Sequence, residues 1–409
     1  MTLRTYIVFG GQFGSEAKGE VVAWLASRLR PEAVVRTGGP NAGHTFTIRR
    51  AGKDAVFVSK FPMQQIPCGW HVNGTALVIA AGSLVNPTIL KRELDLIDTE
   101  NPYHGPVFID PQAAVLDHSA SAAEKAVDMN SFNGSTQEGI GYVRSQYMLR
   151  KAQIAFDNAE LVGLAKQGRI KIIDTAAYLN AIWSTVGGGD IILESTQGFG
   201  LSLSLSGFYP FCTSRDLTPM QVLNDVGLSY KGPVIRGEMK SMPQIYSICV
   251  LRTFPIRVAG NSGPMGEEVS WDEMCEIAGY DIIPEKTTVT KRIRRIAWFN
   301  KDYVARMDMI CRPDAYFLTF ADYVDCDLRP LNSNLDLTHD QYTDKLLHSD
   351  KLIKWLWGHY MPAFGGGFNS LPAWISVAPG WFVQYQPHNS VELEGGDMFT
   401  MLPTRGGLG

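Results

Sequence analysis

The chain has 409 residues, 45% of them apolar and 19% charged, with a formal net charge of −4 at pH 7, the balance of a globular protein with a full core. A pI of about 6.1 argues against a basic surface, so no nucleic-acid partner is expected. Six cysteines lie scattered without a CxxC pair, and the sequence shows neither a leader-like start nor an apolar run near the roughly 20 residues of a membrane span; free thiols, a reducing cytoplasm and no membrane partner are expected.

Tyr6 to Phe9 is a short apolar run that predicts a buried parallel strand. The glycine-rich turn Gly10-Gly11-Gln12-Phe13-Gly14-Ser15-Glu16-Ala17-Lys18-Gly19 follows it, then Val21, Val22, Leu25 and Leu29 at helical spacing. A strand, a glycine turn and a helix N-terminus make an anion site, to which Lys18 adds a point charge. The next strand, Val34 to Arg36, ends in Thr37-Gly38-Gly39-Pro40-Asn41-Ala42-Gly43-His44-Thr45. Alternation in Thr45–Ile48 and Ala55–Val58 predicts a hairpin. Strands are expected at 76–80 and 107–110, and helices at 86–97 (Asn86 as cap, Pro87 first) and 119–129. This β-then-α order predicts an α/β fold, a mostly parallel sheet covered by helices on both faces.

Farther along, Gly134-Ser135-Thr136-Gln137-Glu138-Gly139-Ile140-Gly141 is a polar glycine-rich loop before a long helical stretch, 142–166. The strand 190–194 runs into Ser195-Thr196-Gln197-Gly198, and Tyr209-Pro210-Phe211-Cys212-Thr213-Ser214 follows. In Thr290-Lys291-Arg292-Ile293-Arg294-Arg295, alternation puts Arg292 and Arg294 on one face. Two guanidinium forks side by side suit a dicarboxylate. The stretch 386–409 ends Arg-Gly-Gly-Leu-Gly and is expected to be a mobile tail to a single domain spanning 1–385.

The first two loops resemble those of the adenylosuccinate synthetase family, Gly-Asp-Glu-Gly-Lys-Gly and Gly-Gly-x-Asn-Ala-Gly-His-Thr, and further motifs agree in order to about residue 382. The resemblance implies a P-loop-NTPase-related fold with a large central sheet, and a two-step ligase reaction. A purine 6-oxygen takes the γ-phosphate of a nucleoside triphosphate, and the amine of L-aspartate then displaces phosphate. It implies Mg²⁺ held at Ser15 and Gly43, with Ser15, Lys18 and His44 as catalytic residues. The triphosphate would lie on Gly14, Glu16, Ala17, Lys18, Gly19, Gly43, His44 and Thr45, its base near Asp322, Ser376 and Ala378. The nucleoside monophosphate would contact Ser15, Asn41, Ser135, Thr136, Gln197 and Thr213. Arg150 matches an arginine that enters a partner subunit's phosphate site, which implies a homodimer. Aspartate would be gripped by Thr290, Arg292 and Arg294.

Three departures carry information. The family's catalytic aspartate is Ser15, which resembles the phage branch of the family, the 2-aminoadenylosuccinate synthetases of diaminopurine genomes; the expected substrate is then dGMP. Glu16, the aspartate substrate or a water can stand in for the missing base. Phe320 replaces a lysine, and Gly380-Trp381 replaces an Asp-Arg pair, so ATP or dATP is expected as donor before GTP, with Asp322 kept. An ordinary synthetase acting on IMP, or a non-catalytic nucleotide-binding relative, are the alternatives.

Overall fold

The computed structural model describes residues 4–51, 56–184, 189–230, 234–235, 238–239, 244–287, 291–328, 345–346, 348–364, 374–378 and 381–384. Its centre is a ten-stranded sheet. From edge to edge the strands are Trp381–Gln384, Trp374–Ala378, Ala315–Thr319, Gln244–Arg252, Arg4–Gly10, Ile191–Glu194, Ala33–Arg36, Ala76–Ile79, Val107–Ile109 and Lys171–Ile172. Every pairing is parallel except the first, between Trp381–Gln384 and Trp374–Ala378.

The first strand sits near the middle, and its alternation divides the core. Tyr6 and Val8 face Val21, Val22 and Leu25 of the helix Lys18–Leu29. Ile7 faces Val35, Val78 and Leu193, which pack under Leu179, Trp183 and Val222 of the helices Thr175–Ser184 and Pro219–Val226. Strands buried on both faces read as continuous apolar runs, which is why Tyr6–Phe9 was visible in the sequence. A third cluster, around Phe254, Phe299 and Trp355, covers the sheet toward its Ala315–Thr319 side.

Local signals acted as expected at several points. Asn86 caps Pro87–Glu100 by accepting from the Ile89 N–H (3.1 Å), and His44–Ala51 pairs antiparallel with Val56–Met63; residues 52–55 lie outside the described residues. The long helix expected over 142–166 is instead two helices, Ile140–Met148 and Ala159–Lys166. Arg150 takes a left-handed φ of 61°, and Asn158 caps the second helix through the Leu161 N–H. The helix expected over 119–129 likewise splits into His118–Ala126 and Met129–Asn133, because Asp128 is left-handed. Parallel strands place their C-terminal loops on one edge of a sheet. Here the turns after Gly10, Arg36, Glu194 and Arg252 converge there.

Candidate active site

The glycine turn after the first strand closes on a buried carboxylate. Ser15 (φ 61°) and Ala17 (φ 64°) are left-handed, which turns the Glu16 side chain inward. Its Oε1 accepts from the Gly14 N–H (2.7 Å) and the Gln12 N–H (3.2 Å), and Oε2 pairs with Lys18 Nζ at 2.6 Å. Both charged groups are buried, where such a pair needs these extra donors to offset desolvation. Gly10 is required beneath it, since a Cβ there would lie 2.6 Å from Glu16 Oε2. Glu16 was expected at the nucleotide; its carboxylate lies under the loop instead, because only there are the N–H groups and Lys18 satisfied together.

Three strands then assemble a cluster that no local motif announces. His44 Nδ1 lies 2.5 Å from Glu194 Oε1, and Arg36 Nη1 donates to the same oxygen at 2.6 Å. Glu194 Oε2 accepts from the Cys68 N–H (2.8 Å), and Arg36 Nη2 holds the Ala42 carbonyl. With Nδ1–H directed at the carboxylate, the imidazole's Nε2 is the nitrogen left for chemistry. Burial raises the cost of charging Glu194, but Arg36 and His44 outweigh it and hold the carboxyl down at about 2. Burial and the Arg36 charge push His44 down to about 4, against the pull of Glu194. In the free protein the imidazole is therefore a neutral base at pH 7.

Both shifts have the same sign for stability. Glu194 stabilises the fold above the ordinary glutamate value, and that contribution disappears as pH falls toward 2. His44, neutral in the fold, gives up stability as pH falls from about 6.5 to 4, because the unfolded chain takes the proton first. The urea midpoint is expected to drop on acidification from pH 7 to 4, and to drop less in His44→Asn; equal pH slopes for the two proteins would contradict the His44 shift.

A cavity of about 600 Å³ opens above these groups. From the first two loops it is lined by Gly14, Ser15, Lys18, Asn41, Gly43 and His44. From the later segments come Ser135, Thr136, Gln197, Thr213 and Arg294. Gln197 is left-handed and donates to Thr213 Oγ1 at 3.1 Å, so two of the expected monophosphate contacts are already joined. The second loop reaches the Thr196 segment only through glycine: Gly38 has φ 99°, and a Cβ would lie 2.0 Å from Thr196 Oγ1.

Other expected residues lie elsewhere. Ala17 and Thr45 do not line the cavity; Gly19 serves packing, where a Cβ would lie 2.9 Å from the Thr45 carbonyl. Of the two arginines, Arg294 lines the cavity, while Arg292 is exposed and donates to Asn130 Oδ1 at 3.1 Å. Arg150 is exposed, outside the cavity, donating to the Met148 carbonyl. Asp322 accepts from the Tyr280 hydroxyl at 2.9 Å, and Ser376 lies on the Trp374–Ala378 strand, as does Ala378; neither Asp322 nor Ser376 lines this cavity. Thr290, Gly380 and the 386–409 stretch lie outside the described residues.

Glu194 and Arg36 were missed as site residues, although a charged residue closing each apolar strand was the available signal. Glu124 was missed as well: buried at the cavity wall, it accepts from the N–H groups of Gly139, Gly141 and Tyr142 and so holds the phosphate-type loop. For a hard cation, Ser15 and Gly43 offer neutral oxygens on the same wall as Lys18, which suits an ion that takes most of its ligands from phosphates and water. The His44–Cys68–Glu194 group brings three donor atoms within 4.8 Å of one another, but Arg36 already supplies the positive charge there.

Comparison with known proteins shows the family and the fold. The family profile described as adenylosuccinate synthetase matches residues 7–160. The adenylosuccinate synthetase of Pyrococcus horikoshii is 34% identical over 307 residues, 74% of this chain and 80% of that one. The N6-succino-2-amino-2′-deoxyadenylate synthase of Vibrio phage phiVC8 is 30% identical over 380 residues, 89% and 96% of the two chains. The fold matches a cyanophage S-2L succinoaminodeoxyadenylate synthetase bound to dGMP and dATP, at a TM-score of 0.67 with 22% identity, covering 93% of this chain and 94% of that one. It also matches a fully ligated Plasmodium falciparum adenylosuccinate synthetase, at 0.72 with 16% identity and 93% and 99% coverage.

Proposed function

The chain belongs to the adenylosuccinate synthetase family of C–N bond-forming ligases, and from that premise we propose that it joins L-aspartate to C6 of dGMP, giving 2-amino-2′-deoxyadenylosuccinate. The observation that carries the proposal is Ser15 in the cavity wall beside an intact His44–Glu194 pair. An aspartate at this position would crowd the amino group that guanine bears beside N1. Serine has two fewer non-hydrogen atoms and keeps an oxygen able to accept one N–H bond. The phage phiVC8 relative, similar over 89% of this chain, carries a name for the same product class. A purely binding role fits poorly, because Arg294 and the buried imidazole have no use without an amine acceptor step.

Each residue then has a task set by its place. Lys18, held by Glu16, lends positive potential at the γ-phosphate, with the donors of the first loop around it. Mg²⁺ bound at Ser15 and Gly43 would neutralise charge building on the phosphate oxygens. His44 takes a proton on Nε2 when the anionic phosphates arrive and returns it to the oxygen leaving C6. Asn41, Ser135, Thr136, Gln197 and Thr213 hold the monophosphate and its base. Arg294 grips a carboxylate of aspartate, with Arg292 swinging in from the cavity edge. Arg150, on the surface, is available to a second copy of the chain. ATP or dATP serves as donor, since one Asp322 oxygen already accepts from Tyr280 and is less available to a guanine edge.

Ser15→Asp tests this directly. It is expected to lower kcat/KM for dGMP by about ten- to a hundredfold, the effect of a clash or an unsatisfied buried group, and to raise affinity for Mg²⁺ by adding a carboxylate. Unchanged use of dGMP in Ser15→Asp would remove Ser15 from substrate choice.

A further inference from the structure

Two of the three departures from the family pattern, Ser15 and Phe320, meet on one side chain. Arg252 closes the strand Gln244–Arg252 and is fully buried. Its Nη1 donates to the Ser15 carbonyl at 3.0 Å, and Nη2 binds Glu285 Oε1. Its guanidinium carbon stands 3.9 Å from the centre of the Phe320 ring and 5.8 Å from that of Tyr323. The Tyr323 hydroxyl donates to the same Glu285 oxygen at 3.0 Å, and the Gln12 side chain is bonded to both backbone groups of Arg252. The planar fork thus does three things at once: it neutralises Glu285, lies flat on an aromatic face and anchors the left-handed backbone of Ser15. A guanidinium can do this and an ammonium cannot.

We infer that Arg252 is a specificity-positioning residue, which fixes where the Ser15 hydroxyl meets the purine and makes Ser15 and Phe320 a single unit. Arg252 already covers one face of the Phe320 ring, so that face is not a platform for the donor's base. A lysine at position 320 would set a second cation against Arg252 and compete for Glu285, loosening the hold on the Ser15 carbonyl. The inference rests on the proposal that Ser15 meets the substrate's purine.

The test measures kcat/KM for dGMP and for IMP in Arg252→Lys and Phe320→Leu, each made in the native chain and in a Ser15→Ala background. Arg252→Lys keeps the charge that Glu285 needs but lacks the fork. Phe320→Leu keeps the apolar contact but removes the stacking, and carries the test alone if Arg252→Lys fails to fold. Each is expected to change the dGMP-to-IMP ratio about tenfold, the scale of one buried hydrogen bond, while the ratio in Ser15→Ala stays within about twofold of that parent. No change in the native background, or an equal change in both, would overturn the role. A native enzyme that prefers IMP would instead sink the dGMP proposal, and the shift of the ratio would still report on Arg252.

Discussion

Replacing His44 by asparagine is expected to lower kcat by roughly 10²–10⁴, the range seen for loss of a general acid, with dGMP binding retained. Asparagine still places an N–H toward Glu194, so the cluster keeps its partner and loses only the group that titrates. Burial and the Arg36 charge hold His44 well below its ordinary value in the free protein, so the imidazole is neutral at pH 7. Catalysis at neutral pH then requires the bound phosphates to raise that value. Anions beside Nε2 favour the charged form, as Arg36 disfavours it. Adding Mg²⁺ and a triphosphate to the dGMP complex in weak buffer should therefore take up close to one proton per site, and the uptake should vanish in His44→Asn. Near-native turnover of the variant, or equal proton uptake by both proteins, would exclude His44 as the acid.

Arg294→Leu is expected to raise the KM for L-aspartate about ten- to a hundredfold, since a charge-assisted bond contributes roughly 1.5–3 kcal/mol. Arg294 is a wall residue of the cavity, and burial lowers its pKa from the ordinary arginine value. Its backbone is fixed at both ends, the N–H donating to the Glu285 carbonyl (2.8 Å) and the carbonyl accepting from Trp271 Nε1 (2.8 Å). The point from which the side chain enters the cavity is thus fixed, and leucine preserves the packing of its stem while removing the fork. The KM for dGMP should stay within about threefold, a shift smaller than one hydrogen bond. An unchanged aspartate KM would leave Arg294 as a wall residue without a ligand.

The sequence made the strand–turn–helix around Gly10 to Lys18 legible because three local rules coincide there: an apolar run, glycines and a helical stripe. Asn86-Pro87 was legible for the same reason. The breaks at Asp128 and Arg150 were not, since a left-handed non-glycine residue leaves no compositional mark. The inward turn of Glu16 depends on Lys18, Gly10 and Gly198 together, and neighbouring residues alone do not encode it. Arg36 and Glu194 end neighbouring strands of the central sheet, while His44 opens a strand of the separate hairpin, so their pairing is a consequence of tertiary arrangement, visible only once Ala33–Arg36 lies beside Ile191–Glu194. Of Arg292 and Arg294 only the second is a wall residue of the cavity; the first spends a donor on Asn130 Oδ1, a partner distant in sequence that alternation does not reveal.

The choice of purine is read out by incubating the enzyme with equal concentrations of dGMP and IMP, together with L-aspartate, ATP and Mg²⁺, and resolving the two succinylated products by mass. 2-Amino-2′-deoxyadenylosuccinate is expected to dominate, with phosphate release that depends on aspartate. Predominant adenylosuccinate would contradict the choice of dGMP.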